Sequence, residues 1–158
     1  MLIDRTSRLW IYLDNDLKGL VLDGEELLED VKRHEKTISD YSYLVFPFSK
    51  AYEGFLKRLF LDLKLIDKAD FYGDSIRIGR ILNPSFKHEK SSVYNALHKH
   101  LSDRDLSEHL WTVWRNGRNL VFHYYPHNFR KLTYREAENL VGDIIEAMEF
   151  AMNVLREH

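Results

Sequence analysis

The chain has 158 residues, of which 44% are hydrophobic and 30% charged; its formal charge is −2 and it contains no cysteine. These values are typical of one globular domain, and a mean hydropathy of −0.43 argues against a membrane protein. Without cysteine there is no disulfide framework, no thiolate nucleophile and no cysteine-ligated metal site. We expect neither a signal peptide nor a transmembrane span, and a cytoplasmic location.

Charge is distributed unevenly along the chain. Residues 1–40 and 133–158 each sum to −4, residues 41–76 to 0, and residues 77–132 to +6. Six of the eight histidines also lie in the basic stretch. The stretch is compatible with a local site for an anionic partner, or with a solvated face whose charges pair with the acidic ends.

Apolar spacing predicts helices through the N-terminal part of the chain. Two helices broken near Asp23-Gly24 are predicted first, on the spacing of Leu9, Leu13, Leu17, Leu20, Leu27, Val31 and Ile38. A long helix follows from Ser42 or Phe46 to Leu65, with Pro47 in its first turn or at a kink. Turn-forming residues then predict a long irregular loop over about 66–90, with a short strand at Ser75–Ile78.

Three helices are predicted in the C-terminal part. One covers Ser92–Leu101, and a second starts near Asp105, passes through Val121 and ends before Tyr124-Tyr125-Pro126. The last starts at a Thr133–Glu136 capping box and carries one apolar stripe of about six turns. The fold class is therefore an all-α bundle with one long loop. We expect a single domain, with an extension at 1–39 and a core at 40–158.

The residues most suited to chemistry follow one another near the end of the fifth of these helices, the one predicted to start near Asp105. Asn119 and His123, four apart, share a face of an ideal helix, whereas Arg118 and His123 are separated by about 140°. Arg118 and His123 can still converge if the helix frays near His123. Histidine transfers protons near neutral pH, and guanidinium holds a phosphate through two parallel hydrogen bonds. The alternative is that both residues only complement the negative end of the helix dipole.

The segment Arg118-Asn119-Leu120-Val121-Phe122-His123 resembles the R-N-x-x-x-H motif of the HEPN superfamily, small helical bundles that include many metal-independent RNases. Its place near the end of a long helix, before one more amphipathic helix, is also similar to that family. Residues 43–56 and 78–84 further resemble the C-terminal domain of RNase LS-type (RnlA/LsoA) toxins, over roughly residues 40–155. The N-terminal domains of those toxins have no counterpart here.

The resemblance implies a catalytic set of Lys50, Glu53, Arg118 and His123, supported by Asn119. Lys50 stands where the family prefers arginine, and lysine lacks the planar fork. We also expect Arg115 and Arg80 to bind substrate. From the sequence pattern alone, Glu53 and Lys57 instead form an ordinary i,i+4 surface pair.

The resulting expectation is a metal-independent endoribonuclease, the toxin of a toxin–antitoxin or phage-defence system, that acts on RNA as a homodimer and binds a protein antitoxin. No cofactor, metal or membrane is expected. The alternative is a catalytically silent HEPN domain that binds an antitoxin or a nucleotidyltransferase. Glycine-rich phosphate loops are absent from the sequence.

Two other groups of side chains are candidates for a site. The histidines could suggest a metal site, which would need a third ligand, but Pro126 interrupts the helical register of His123 and His127, so such a site is disfavoured; the histidines concerned are His98, His100, His109, His123 and His127. Packing in the core or at a dimer interface is preferred to base stacking for the aromatic residues Trp111, Trp114, Tyr124 and Tyr125.

Overall fold

The computed structural model describes residues 1–34, 37–101, 104–123, 126 and 130–157, and its regular elements are all helical. The all-α class is therefore confirmed. Eight α-helices lie within these residues: α1 (Arg8–Tyr12), α2 (Asn15–His34), α3 (Phe46–Asp62), α4 (Lys68–Tyr72), α5 (Ile78–Ile81), α6 (Val93–Leu101), α7 (Arg104–Trp114) and α8 (Tyr134–Glu157). None of the helices in the described ranges combines the length and the apolar character needed to cross a membrane.

Helix α3 lies at the centre and packs against both α2 and α8. Its inward face is fully buried and rich in aromatic residues, among them Phe48, Tyr52, Phe55 and Phe60. The Tyr52 hydroxyl donates a hydrogen bond of 3.0 Å to the carbonyl of Leu110, which fastens α3 to α7 inside the core. Pro47 lies in the first turn of α3, where a missing backbone donor costs least.

The predicted helix break at Asp23-Gly24 is wrong, because α2 runs through both residues. Gly24 instead permits close packing: a Cβ there would lie 2.4 Å from Cε2 of Phe48 on α3. The break falls earlier, at Leu13-Asp14, where Asp14 Oδ1 accepts from the backbone N–H of Leu17 at 2.9 Å. Gly24, predicted to end a helix, therefore lies where α2 crosses α3.

The predicted irregular loop over 66–90 is also partly wrong, because it contains α4, α5 and a 3-10 turn at Pro84–Phe86. Asp67 and Asp70 form a reciprocal capping box that starts α4. The strand predicted at Ser75–Ile78 does not form; Ile78 begins α5 and is buried. Such short helices escape periodicity, since one turn offers too few apolar positions to show a pattern.

The C-terminal prediction holds for α6 and α8, the helices on either side of α7. Helix α6 begins at Val93, one residue from the predicted start. Before α8, the Glu136 carboxylate accepts from the backbone N–H of Thr133 at 2.8 Å, and the Thr133 hydroxyl accepts from the N–H of Glu136 at 3.2 Å. This is the predicted capping box, and it fixes where α8 begins.

Candidate functional site

The first two residues of the Arg118–His123 motif lie on a π-helical turn rather than on an α-helix, and His123 lies beyond the end of this turn. Helix α7 ends at Trp114, and Arg115–Asn119 form a π turn in which the N–H of Leu120 donates to the carbonyl of Arg115 at 2.9 Å. The predicted continuation of the α-helix through Val121 is therefore wrong. A π turn advances each residue by a smaller angle than an α-helix, and such turns are frequent at functional sites.

Two contacts from other helices hold the π turn. The buried hydroxyl of Ser49, on α3, donates to the carbonyl of Gly117 at 2.6 Å. On the opposite side Gly117 faces α8, where a Cβ would lie 3.0 Å from Cδ1 of Ile144. The turn thus takes its shape from tertiary contacts, which is why the local sequence did not predict it.

Arg118 leaves this turn and meets Glu53 of α3. The nearest nitrogen of its guanidinium lies 3.0 Å from Glu53 Oε2, and its charge lies 5.1 Å from the centre of the Trp114 ring. The Arg118 side chain remains 43% exposed and that of Glu53 25% exposed. Glu53 therefore pairs with Arg118, 65 positions away in the sequence, and not with Lys57 as the surface-pair alternative supposed.

Arg118 and His123 line one cavity of about 350 Å³. Its walls come from α3, α5, α7 and the π turn, and its lining includes Glu53, Arg77, Arg80, Trp114, Arg118, Asn119 and His123. The motif residues that are 140° apart on an ideal α-helix therefore face the same space. The chain has left α-helical geometry before it reaches His123, as the predicted convergence requires.

Lys50 and Arg115 lie apart from this cavity. Lys50 is exposed on α3 and lines a neighbouring cavity of about 220 Å³ together with Glu53 and Arg118. Arg115, at the start of the π turn, is exposed and lines neither cavity. Five of the seven predicted residues therefore line the His123 cavity. Lys50 lines the neighbouring cavity, and Arg115 lines neither.

Arg80 lines the cavity, and its guanidinium is also paired with a carboxylate, that of Glu89. Its Nε and Nη2 donate to the two carboxylate oxygens of Glu89 at 3.2 and 2.9 Å, and these hydrogen bonds raise the pKa of Arg80 above its usual value. The cavity also contains Arg77, which sequence reasoning missed. The spacing Arg77-x-x-Arg80 would have indicated it only if the short helix α5 had been predicted.

The other candidates are the aromatic residues and the remaining histidines of the sequence. Trp114 is buried against Tyr52, as core packing predicts, and the ring of His109 meets Phe150 edge-on. Tyr124, Tyr125, His127 and the side chain of His100 lie outside the described residues. Among the residues that are described, no cluster of three or more histidine, aspartate or glutamate side chains is placed to hold a metal ion.

Chemically, the cavity combines a proton-transfer group with cationic hydrogen-bond donors. Imidazole gives or accepts a proton, and the guanidinium of Arg118 is oriented by a carboxylate and an indole ring. Such a set is suited to a phosphate ester, because forked donors match two of its oxygens. Comparisons with protein-family models, with curated proteins and with solved structures find no match to this chain.

Proposed function

We propose that this chain is a metal-independent endoribonuclease with a HEPN-like bundle, and the toxin of a toxin–antitoxin or phage-defence system. The observation that carries the proposal is the ion pair of Arg118 with Glu53, which faces the same cavity as His123. If the motif only complemented the helix dipole, Arg118 would not need the carboxylate of Glu53, on the central helix α3, to orient it. The resemblance to RNase LS-type toxins supplies the reaction type.

In the proposed reaction the 2′-oxygen of the RNA attacks the neighbouring phosphorus and the bond to the 5′-oxygen breaks. His123 takes the 2′-hydroxyl proton or gives a proton to the leaving 5′-oxygen, and water makes the other of these two proton transfers. Arg118 stabilises the negative charge that develops on the phosphoryl oxygens, with help from Lys50. The products are a 2′,3′-cyclic phosphate and a 5′-hydroxyl, and DNA is inert because it lacks the nucleophile.

Other residues hold this arrangement in place. Glu53 orients Arg118 through the 3.0 Å contact, Asn119 supports the turn beside His123, and Arg80 and Arg77 provide positive charge along the path of the RNA backbone. Arg115, exposed next to the cavity, is proposed to contact the RNA outside it. In a homodimer, two such motifs would meet across the two-fold axis, with a cytoplasmic protein antitoxin covering them.

The test is cleavage of single-stranded RNA in the presence of EDTA by the wild type, His123→Ala and His34→Ala. We expect the wild type and His34→Ala to release 2′,3′-cyclic phosphate ends and His123→Ala to be inactive. His34 is the matched control, because it is an exposed histidine at the far end of α2. Cleavage that EDTA abolishes, or equal cleavage by His123→Ala, would contradict the proposal.

A growth assay distinguishes the proposed toxin from the catalytically silent alternative. A toxin arrests growth when expressed, and His123→Ala relieves the arrest. A domain that only binds an antitoxin or a nucleotidyltransferase predicts that His123→Ala leaves any growth effect unchanged, because no proton transfer by the imidazole is then involved; circular dichroism of the variant checks that its fold is intact.

A further inference from the structure

A second cavity adjoins the one that holds His123. It measures about 220 Å³ and shares the Arg118–Glu53 ion pair as a common wall. Its remaining lining is Phe46, Ser49, Lys50 and Phe122. This volume is below the roughly 300–1,000 Å³ of pockets that take drug-sized ligands, so it suits one planar group rather than a whole nucleotide.

The aromatic walls of this cavity are unusually exposed. Phe46, the first residue of α3, is 54% exposed, and Phe122, just after the π turn, is 36% exposed. Their rings meet edge to face, with centroids 5.7 Å apart and planes at 81°. In such an arrangement the ring that contributes its edge has neither face covered by its partner, so an aromatic face remains available for stacking.

Charge at the same place selects the kind of ligand. Lys50 is exposed and Arg118 is 43% exposed, and both line the cavity together with the two phenylalanine rings. Glu53 offsets the charge of Arg118 through their ion pair, so the lining keeps one net positive charge, that of Lys50. Cations beside stacking aromatic rings are the combination that binds single-stranded nucleic acid, in which the backbone is anionic and every base offers a π face. We propose that Phe46 and Phe122 form a subsite that stacks one unpaired nucleobase of the RNA, next to the phosphate held at Arg118.

This inference rests on the proposed ribonuclease function and narrows its substrate. A base inside a duplex is stacked and paired, so it enters the subsite only from single-stranded RNA, a loop or a bulge. The ion pair then separates two tasks: the side with His123 acts on the phosphate, and the side with Phe46 and Phe122 fixes which nucleotide lies there. A preference for unpaired RNA follows.

The test measures base stacking directly in a His123→Ala background, so that the RNA stays intact. A single-stranded RNA containing one 2-aminopurine is titrated against this protein and against versions that add Phe46→Leu, Phe122→Leu or Phe122→Tyr. We expect binding to quench the fluorescence, and each leucine substitution to weaken binding about 5- to 150-fold, the range of one base–aromatic stack. Phe122→Tyr keeps the ring and is expected to keep the binding.

Tyr72→Leu is the matched control, because Tyr72 is an 80% exposed aromatic residue on α4, outside this cavity. Circular dichroism of each variant checks that the fold is intact. Binding and quenching unchanged by both leucine substitutions, or absent altogether, would overturn the subsite. A change of oligomeric state in Phe122→Leu without a change in quenching would also overturn it, since the rings would then serve a second copy of the chain.

Parallel cleavage assays in the wild-type background separate this inference from the function beneath it. If the wild type cleaves RNA and the leucine variants both bind and cleave equally well, the subsite is wrong and the ribonuclease stands. If the wild type does not cleave, yet quenching is lost in Phe122→Leu and kept in Phe122→Tyr, the subsite stands and the chain is a binding protein for unpaired bases.

Discussion

Arg118 takes part in most of the contacts that define the site. Its guanidinium lies against a carboxylate on α3 and over the ring of Trp114, and it separates two cavities. In the sequence, Arg118 and His123 stand out through the resemblance of their segment to a known motif, whereas the residues alone leave open that both only complement the helix dipole. The sequence pattern does not reveal that Glu53 is the partner, because the two residues are 65 positions apart and meet only when α3 packs beside the π turn.

The first prediction concerns the shape of the Arg118 side chain. Arg118→Ala is expected to lower the cleavage rate by about 10²- to 10³-fold, the usual effect of removing one donor to a developing oxyanion. Arg118→Lys keeps the charge but loses the planar fork, so we expect most of the same loss. Single-turnover cleavage measures both, with Arg33→Lys on α2 as the control. Wild-type rates in Arg118→Lys would show that only charge matters there.

A second prediction separates two roles for Glu53. If Glu53 orients Arg118, Glu53→Gln keeps an acceptor oxygen near the guanidinium and is expected to retain far more activity than Glu53→Ala. If Glu53 carries a proton in the reaction, both variants are equally inactive, because an amide cannot transfer it. The ion pair favours the orienting role. Cleavage rates of the two variants across pH 5–9 distinguish these outcomes.

At the scale of elements, the π turn is what makes the site. Long helices with clear apolar stripes could be predicted from the sequence, as α3 and α8 demonstrate, and α8 also has the predicted capping box at its start. The π turn could not, because Ser49 and Ile144, which shape it, come from those other two helices. The same reason explains Gly24: its role appears only once Phe48 of α3 lies across α2.

The third prediction tests the packing of this turn. Gly117→Ala places a Cβ 3.0 Å from Cδ1 and 3.2 Å from Cγ1 of Ile144, so the buried Ile144 side chain must shift by a few tenths of an ångström, and we expect a loss of about 1–3 kcal/mol in the free energy of unfolding. Ile144→Val removes that Cδ1 atom, so the double variant is expected to recover part of the loss. Urea denaturation of the four proteins in this cycle gives the coupling energy.

Gly142→Ala on α8 provides the control for the glycine itself. A Cβ at Gly142 meets nothing within 4 Å, so alanine there is expected to raise stability by roughly 0.5–1 kcal/mol through helix propensity. Equal effects of the two alanine substitutions would contradict the packing argument. Additive effects of Gly117→Ala and Ile144→Val would contradict their contact.

For the whole molecule, the formal charge of −2 hides an uneven distribution of charge along the chain. A stretch of +6 at residues 77–132 lies between two segments of −4, and it includes the three arginines of the His123 cavity. Some of the acidic charge is used in structure: Lys32 of α2 pairs with Glu138 of α8 at 2.8 Å. Two arginines of the cavity are paired as well, Arg118 with Glu53 and Arg80 with Glu89, so most of the acidic and basic charge near the site is used in ion pairs.

The last prediction concerns Asp40, which joins distant parts of the chain in front of α3. Asp40 Oδ1 accepts hydrogen bonds from the Ser42 hydroxyl at 2.6 Å and from the backbone N–H of Leu132 at 3.1 Å, 92 positions away. Burial raises the pKa of this carboxyl, but the hydrogen bonds outweigh burial and hold its pKa below the usual value of 3.8. A carboxyl with a lowered pKa stabilises the fold above its unfolded pKa, and that stabilisation is lost as the pH falls through its folded pKa.

Asp40→Asn therefore is expected to cost about 1 kcal/mol at pH 7, the difference between a charged and a neutral acceptor. The cost is expected to shrink as the pH falls below about 4, because the carboxyl of the unfolded chain then takes up a proton, and to vanish once the pH is below the lowered pKa of folded Asp40. Urea denaturation of both proteins between pH 7 and pH 3 measures this, with Asp74→Asn, an exposed carboxylate, as the control. A cost that stays constant over this range would mean that shape rather than charge holds the two segments together, and that the start of α3, with Lys50 and Glu53 on it, is insensitive to acid.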